Sequence, residues 1–187
     1  MRRALAALLL LLAPGGASAE RWVIDEALSS LRFSFEVNGI EATGRFPAFE
    51  GVGRFDPAAP EDTALSLAID VAAVDVGPAL ADAIARSSGW FAAAAHPVAR
   101  FELSRVTSIG PGRWRAEGVL EMRGVAAPMA AELRLEVSEA RARAVGETVV
   151  ARRRFGVGRG LTAALVSVSE DIRVRFDLVA RIAERGG

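Results

Sequence analysis

The chain is 187 residues long, carries 23 basic and 23 acidic residues for a formal net charge of zero, and contains no cysteine. Lack of thiols excludes disulfides, thiolate metal sites and an acylated cysteine anchor, so the fold rests on its core. Every basic residue is arginine, which excludes Schiff-base and P-loop lysine chemistry, and the balanced charge gives no electrostatic reason to bind nucleic acid.

At the start of the chain, Arg2-Arg3 form a basic n-region, Ala4 to Ala13 an apolar stretch and Ala17-Ser18-Ala19 a small-x-small cleavage site. These are the parts of an export signal, and the apolar run is well short of the roughly 20 residues that cross a bilayer. Residues 1–19 are expected to be removed by general secretion, leaving residues 20–187 as a single periplasmic domain with a sizeable core. Loss of Arg2 and Arg3 leaves two more acidic than basic residues.

Leu31, Phe33, Phe35 and Val37 alternate with Arg32, Ser34, Glu36 and Asn38, the period of a strand with one dry and one wet face. Asn38-Gly39 is a two-residue hairpin signal, after which Ile40, Ala42, Gly44 and Phe46 resume on one parity. Leu65, Leu67, Ile69 and Val71 make a third strand. Pro78 then suits the first turn of a short helix over the alanine-rich segment Ala79 to Arg86, which Ser87-Ser88-Gly89 ends. Further strands are expected at Ala99 to Val106, Arg113 to Met122, Met129 to Val137, Arg141 to Phe155 and Ile172 to Ile182, with turns at Gly110-Pro111-Gly112, Gly124 and Gly156 to Gly160.

The count is about eight strands joined mostly by short turns, with one helical insertion between the third and fourth. A sandwich would need Greek-key crossovers, whereas consecutive hairpins favour an all-β, eight-stranded antiparallel up-and-down barrel, which leaves no exposed edge. Such a barrel is either filled by its own side chains or just wide enough for one small or slender ligand.

Candidates for chemistry are few. His96, in Ala95-His96-Pro97, is the only imidazole, so serine-type catalysis and multi-histidine metal sites lack partners; it reads as a rim residue. Asp75 reads as turn and capping chemistry and Asp82 as part of a solvated face, and Asp56, Glu61 and Asp62 lack the spacing of a calcium loop. Arg152-Arg153-Arg154 can be taken as an anion site for a phosphate headgroup or an acidic membrane surface, against the more ordinary reading of solvated or structurally paired arginines; on a strand, Arg153 would point away from its neighbours and at least one guanidinium would face inward. The glycines of Phe155-Gly156-Val157-Gly158-Arg159-Gly160 fail as a dinucleotide fingerprint because no βαβ unit surrounds them; a mobile loop at a barrel mouth is expected there.

Taken in order, a set of short motifs resembles the YceI-like family of exported polyisoprenoid-binding proteins. They are Trp22 with Asp25 and Ser29, Phe33, Gly44-Arg45-Phe46, Phe49-Glu50-Gly51, Phe55-Asp56, and Ile69-Asp70 leading to Val74-Asp75. Downstream follow Asp82, Arg86-Ser87, Trp90-Phe91, Pro97, Phe101-Glu102, Gly118-Val119-Leu120, Arg123-Gly124-Val125, Arg154-Phe155-Gly156 and Val168 to Val174. Leu28 and Ile84 stand where many relatives have histidine, Gly89 and Ala92 replace acidic residues, and the first hairpin looks shortened.

The resemblance implies a lipocalin-like barrel that holds a long isoprenoid or similar lipid in its lumen. The expected function is that of a non-catalytic periplasmic protein that sequesters or carries a polyisoprenoid, isoprenoid quinone or similar long-chain lipid. The lumen lining is assigned to Phe33, Phe35, Phe46, Leu67, Ile69, Phe101, Leu120, Leu133 and Phe176. No metal or other cofactor is expected beyond that non-covalent lipid, and the partners are a hydrophobic small molecule and, in passing, inner-membrane components; a homodimer is left open. The competing reading is a lipid-free barrel that docks a membrane redox or cell-envelope protein.

Overall fold

The computed structural model describes residues 20–55, 59, 62–138 and 140–183; the expected export signal lies outside them. Strands β1 (Glu20–Ile24), β2 (Ser30–Val37), β3 (Ile40–Arg45), β4 (Phe49–Phe55) and β5 (Ala64–Asp70) come first, then helix α1 (Ala79–Arg86). Strands β6 (Val98–Gly110), β7 (Arg113–Met122), β8 (Val125–Val137) and β9 (Arg141–Ala151), helix α2 (Leu161–Ala164) and strand β10 (Asp171–Ile182) complete the order.

Ten strand segments fill eight barrel positions, because two of the positions are each built from two segments. β10 pairs with β2 over Arg173–Asp177 and with β1 over Ala180–Ile182, while β4 pairs with β1 and β3 with β2. β1 and β2 thus lie end to end, as do β3 and β4, and the remaining strands pair in chain order until the sheet closes. The result is the eight-stranded up-and-down barrel expected from consecutive hairpins; the sandwich is excluded by the closure.

The sequence reasoning did not resolve the two breaks, each of which has a local cause. Between β3 and β4 stands Pro47, which has no amide hydrogen to donate to a ladder. Between β1 and β2 a 3-10 turn at Glu26–Leu28 interrupts the strand, and Ser29 patches the gap: its hydroxyl donates to Asp25 O at 2.7 Å and accepts from Val179 N at 2.9 Å. The Asn38-Gly39 turn is the expected hairpin, with φ of 52° and 79°, the left-handed pair that matches the twist of the flanking strands.

Antiparallel alternation puts the Asn38-Gly39 turn, the 71–97 connection with α1, the Arg123-Gly124 turn and the 152–170 connection at one end of the barrel, here called the helix end. Asp82, expected on a solvated face, instead accepts from Val76 N at 2.8 Å and ties the start of α1 to the approaching chain. Asp75 accepts from Gly77 N at 3.2 Å and forms an ion pair with Arg45 at 2.8 Å.

A second correction concerns the strand expected to run to Phe155. β9 stops at Ala151 and a 3-10 turn takes Arg152–Phe155, capped by Gly156 in the left-handed region at φ 70°. The glycine-rich segment that follows is no free loop at the mouth: Phe155 and Val157 belong to the core cluster that also holds Leu31, Phe49, Phe101 and Leu178. The chain turns inward there because those two apolar side chains bury while Arg153 and Arg154 stay in water.

Candidate functional site

Along each strand one parity faces the barrel interior, and the inward residues enclose a cavity of about 590 Å³. The cavity wall is apolar except at Arg54, Thr63, Thr148 and Arg152. Thr148 is satisfied by the wall itself, donating to Ala130 O at 2.6 Å. All nine residues assigned to the lumen from the sequence, Phe33, Phe35, Phe46, Leu67, Ile69, Phe101, Leu120, Leu133 and Phe176, line this one cavity.

The lumen stays open although those side chains are large, because glycines on the same parity give them somewhere to lie. Phe33 pairs across the strands with Gly44, Leu67 with Gly51, and Phe176 with Gly146. A Cβ on Gly118 would stand 2.6 Å from Phe101 Cε2, one on Gly146 2.7 Å from Phe176 Cζ, and one on Gly51 2.5 Å from Ile24 Cγ1. Each bulky group therefore lies flat on bare backbone instead of standing into the lumen. The parity of these glycines was visible in the sequence, but their partners depend on a register that it does not print.

Aromatic contacts carry the wall toward the helix end: Phe33 stands 5.8 Å from Phe35 and 5.0 Å from Phe46, and Phe46 meets Phe91 edge-on at 5.6 Å. There Ala81 and Ile84 of α1, Val37 and Ala42 of the first hairpin, and Val166 and Val168 line the cavity. Ile84 is also 37% exposed, so α1 belongs both to the cavity wall and to the surface of the helix end. This end also carries the most exposed aliphatic side chains among the described residues, Leu165 at 83%, Leu80 of α1 at 73% and Ile40 at the start of β3 at 72%.

On the other side of the same end, Trp90 and Arg152 close the wall. Arg152 is 6% exposed, and its Nε donates to Ser169 O at 2.8 Å, Nη1 to Val157 O at 2.7 Å and Nη2 to Val168 O at 2.8 Å. Its guanidinium carbon lies 5.5 Å from the Trp90 ring centroid, and a Cβ on Gly158 would collide with Nη1. Burial first, then the charge of Arg153, push the Arg152 guanidinium down from its ordinary value, with Glu170 opposing. Glu170 itself is engaged by Arg153 at 2.8 Å. The inward guanidinium foreseen in the arginine triplet is thus Arg152, placed by a 3-10 turn and not by strand alternation.

Arg123 of the β7–β8 turn donates to Trp90 O, and burial, then the charge of Arg159, push it down from its ordinary value. His96 is exposed and lies against the same turn, its Cε1 3.4 Å from where a Cβ on Gly124 would stand. It is not part of the cavity wall. Among the described residues no three His, Asp or Glu side chains gather as a metal site. Sequence reasoning missed that Trp90 meets both Arg152 and Arg123, since only the packing of three separate connections brings them together.

Comparison with known proteins follows the same outline. The YceI-like domain model matches residues 22–180. An Azotobacter vinelandii relative, called UPF0312 protein, is 33% identical over 135 residues, 69% of this chain and 70% of its own length. The crystal structure of Burkholderia cenocepacia BcnA superposes with a TM-score of 0.77 at 25% identity, covering 83% of this chain and 98% of that one. A polyisoprenoid binding domain from Saccharophagus degradans, implicated in plant cell wall breakdown, superposes at 0.69 with 18% identity, covering 87% of this chain and 98% of that one. At 18% identity the likeness speaks to the fold alone.

Proposed function

This chain belongs to the YceI-like family, and on that basis we propose that it is a periplasmic binding protein that carries or sequesters a polyisoprenoid, an isoprenoid quinone or a similar long-chain lipid in its barrel. The observation that carries this reading is the cavity of about 590 Å³ with its nearly unbroken apolar wall. At the roughly 30 Å³ taken by a water-sized group, it holds on the order of twenty heavy atoms. Burial is worth about 0.8 kcal/mol per methylene, so a chain of ten or more carbons gains enough to offset the cost of association with few polar contacts. A domain described as polyisoprenoid binding is built on the same fold, so the barrel is compatible with a ligand of this class.

The nine lumen residues act in this reading as the surface that receives the tail, with the glycines beneath them setting its width. The protein acts as a binder and takes part in no chemical step. Ile40, Leu80 and Leu165 are placed to touch a membrane while lipid enters at the helix end. The test is binding to delipidated protein, followed through the fluorescence of Trp22 and Trp90, which both face the cavity. Saturable quenching by a C20 prenol or a short-chain quinone, with a 1:1 end point, is expected. No binding of any C15 to C40 isoprenoid would overturn the carrier reading and leave the docking of an envelope protein in its place.

A further inference from the structure

The barrel closes through β1 and β4, which leaves β3 with a strand partner on one side only. In the Asn38-Gly39 hairpin, Val37 and Ile40 form the hydrogen-bonded pair next to the turn. The backbone groups of Ile40, Ala42 and Gly44 therefore point toward β2, and those of Glu41, Thr43 and Arg45 point away from it. Arg45 finds a partner there: its N donates to Asp75 O at 2.8 Å and its O accepts from Asp75 N at 3.0 Å. Among the described residues, the backbone amides and carbonyls of Glu41 and Thr43 find none, and both residues are exposed.

Beside this edge the cavity wall is not a strand. Val76 closes on Gly44, where a Cβ would stand 2.9 Å from Val76 Cγ1, and Ala81, Ile84 and Ala85 of α1 continue the wall. The chain is anchored on both sides of α1: Asp75 is held by Arg45, and Gly89 O accepts from Gly158 N at 2.9 Å and Arg159 N at 2.8 Å. Between these anchors the C-terminal end of α1 is well tied. Phe91 N donates to Ala85 O at 2.8 Å, Ala93 N to Arg86 O at 3.0 Å, and Ala85 is buried in a cluster with Phe33 and Val74. The N-terminal half is tied to the chain before Pro78 by one described bond, from Val76 N to Asp82 Oδ1 at 2.8 Å. Next to that bond stands Gly77 at φ 116°, with open space where a Cβ would be, in a region of backbone space that glycine enters freely. Each described hydrogen bond of residues 79–86 ends within residues 76–93, so α1 can tilt without breaking a strand ladder.

We propose that α1 is the gate of the cavity. Its N-terminal turns swing away from β3 about the Ala85–Arg86 end, with the Asp82–Val76 bond as latch and Gly77 as hinge, and lipid enters sideways along the unpaired edge of β3. Parting any two neighbouring strands would break several ladder bonds, whereas this tilt breaks one, and functional openings use the least costly element. The inference rests on the carrier reading and adds the route by which the cavity fills.

The test has one arm with lipid and one without. Farnesol binding to the delipidated protein is followed in stopped flow through Trp22 and Trp90. Asp82→Ala removes the latch and should raise the association and dissociation rates together by about 3- to 10-fold, as the loss of one net hydrogen bond predicts, with Kd unchanged to within about twofold. Asp82→Asn keeps an oxygen acceptor and should stay close to the parent rates. Faster dissociation with an unchanged association rate would overturn the gate and make Asp82 a support of the wall. The second arm uses the lack of cysteine in the chain: spin labels on Leu80→Cys and Thr43→Cys, both exposed positions, are the only labels the protein carries. A second, longer distance between them is expected, more populated when Asp82→Ala is added. One unchanged distance in both proteins would overturn the gate whatever the lipid does. Failure of farnesol and longer prenols to bind, with the longer distance present, would overturn the carrier reading and leave the gate standing.

Discussion

Replacing Gly44 by alanine tests the idea that large side chains lie flat on glycine and so keep the lumen open. The added methyl would stand 2.8 Å from Phe33 Cε2 and 2.9 Å from Val76 Cγ1, and both neighbours are side chains, so the sheet itself need not move. The Phe33 ring, already within 5.0 Å of Phe46 and 5.8 Å of Phe35, has only the lumen to move into. Overpacking of this kind costs about 1–3 kcal/mol, and for a domain of this size each kcal/mol lowers Tm by about 2–4 °C. The methyl and the shifted ring together remove at least roughly 30 Å³ of lumen, and affinity for a C20 chain should fall more than for a C10 chain. Phe33→Leu removes the obstructing ring, so the double variant should be at least about 1 kcal/mol more stable than the sum of the single costs implies. Urea denaturation of the four proteins measures this directly. Additivity to within about 0.5 kcal/mol would refute the stacking of Phe33 on Gly44.

Arg152→Met should lower stability by about 1 kcal/mol or more for each of the three carbonyls it orphans, at Val157, Val168 and Ser169; thermal unfolding shows it, and Gly158→Ala, which puts a Cβ into Nη1 at φ 80°, should behave similarly. Asp177 is held below its ordinary range, chiefly by its hydrogen bonds to Arg143 and then by that residue's charge. A carboxyl lowered on folding adds stability that is fully present above its unfolded value of about 3.9 and is lost as pH falls through the folded value. Asp177→Asn should therefore cost about 0.2–1 kcal/mol at pH 7, as expected for an exposed pair, and progressively less as the pH is lowered through the folded value, as denaturation midpoints along an acid series would show. The triple change Ile40→Ser, Leu80→Ser and Leu165→Ser touches only exposed side chains; it should leave Tm nearly unchanged and slow lipid uptake from vesicles several-fold in a stopped-flow transfer assay.

Much of the barrel was legible because alternation is written into each strand. The residues from Leu31 to Val37 and from Met129 to Val137 fixed which side faces inward, and all nine lumen residues chosen on that ground line the cavity. What escaped depended on partners distant in sequence. The break at Pro47 carries a plain signal, yet the end-to-end stacking of β1 with β2 along β10 is a matter of register between residues about 150 positions apart. Arg152 looked like a continuation of β9 because Val149 and Val150 just before it favour extended backbone, and only the burial of Phe155 and Val157 turns the chain inward. Asp82 looked solvated for the same kind of reason, since its partner, the amide of Val76, lies on the approach to the helix. Charged contacts suffer most: nothing in the spacing of Arg123 and Arg152 says that they meet at Trp90.

The central claim is that the apolar cavity exists to hold a lipid tail. The most direct measurement is native mass spectrometry, followed by lipid extraction, of the protein purified without detergent from the cells that make it. A bound isoprenoid of about one per chain, lost when Gly44→Val drives Phe33 into the lumen, is the predicted result. A folded protein with no co-purifying lipid, and a mass equal to that of the bare polypeptide, would contradict it.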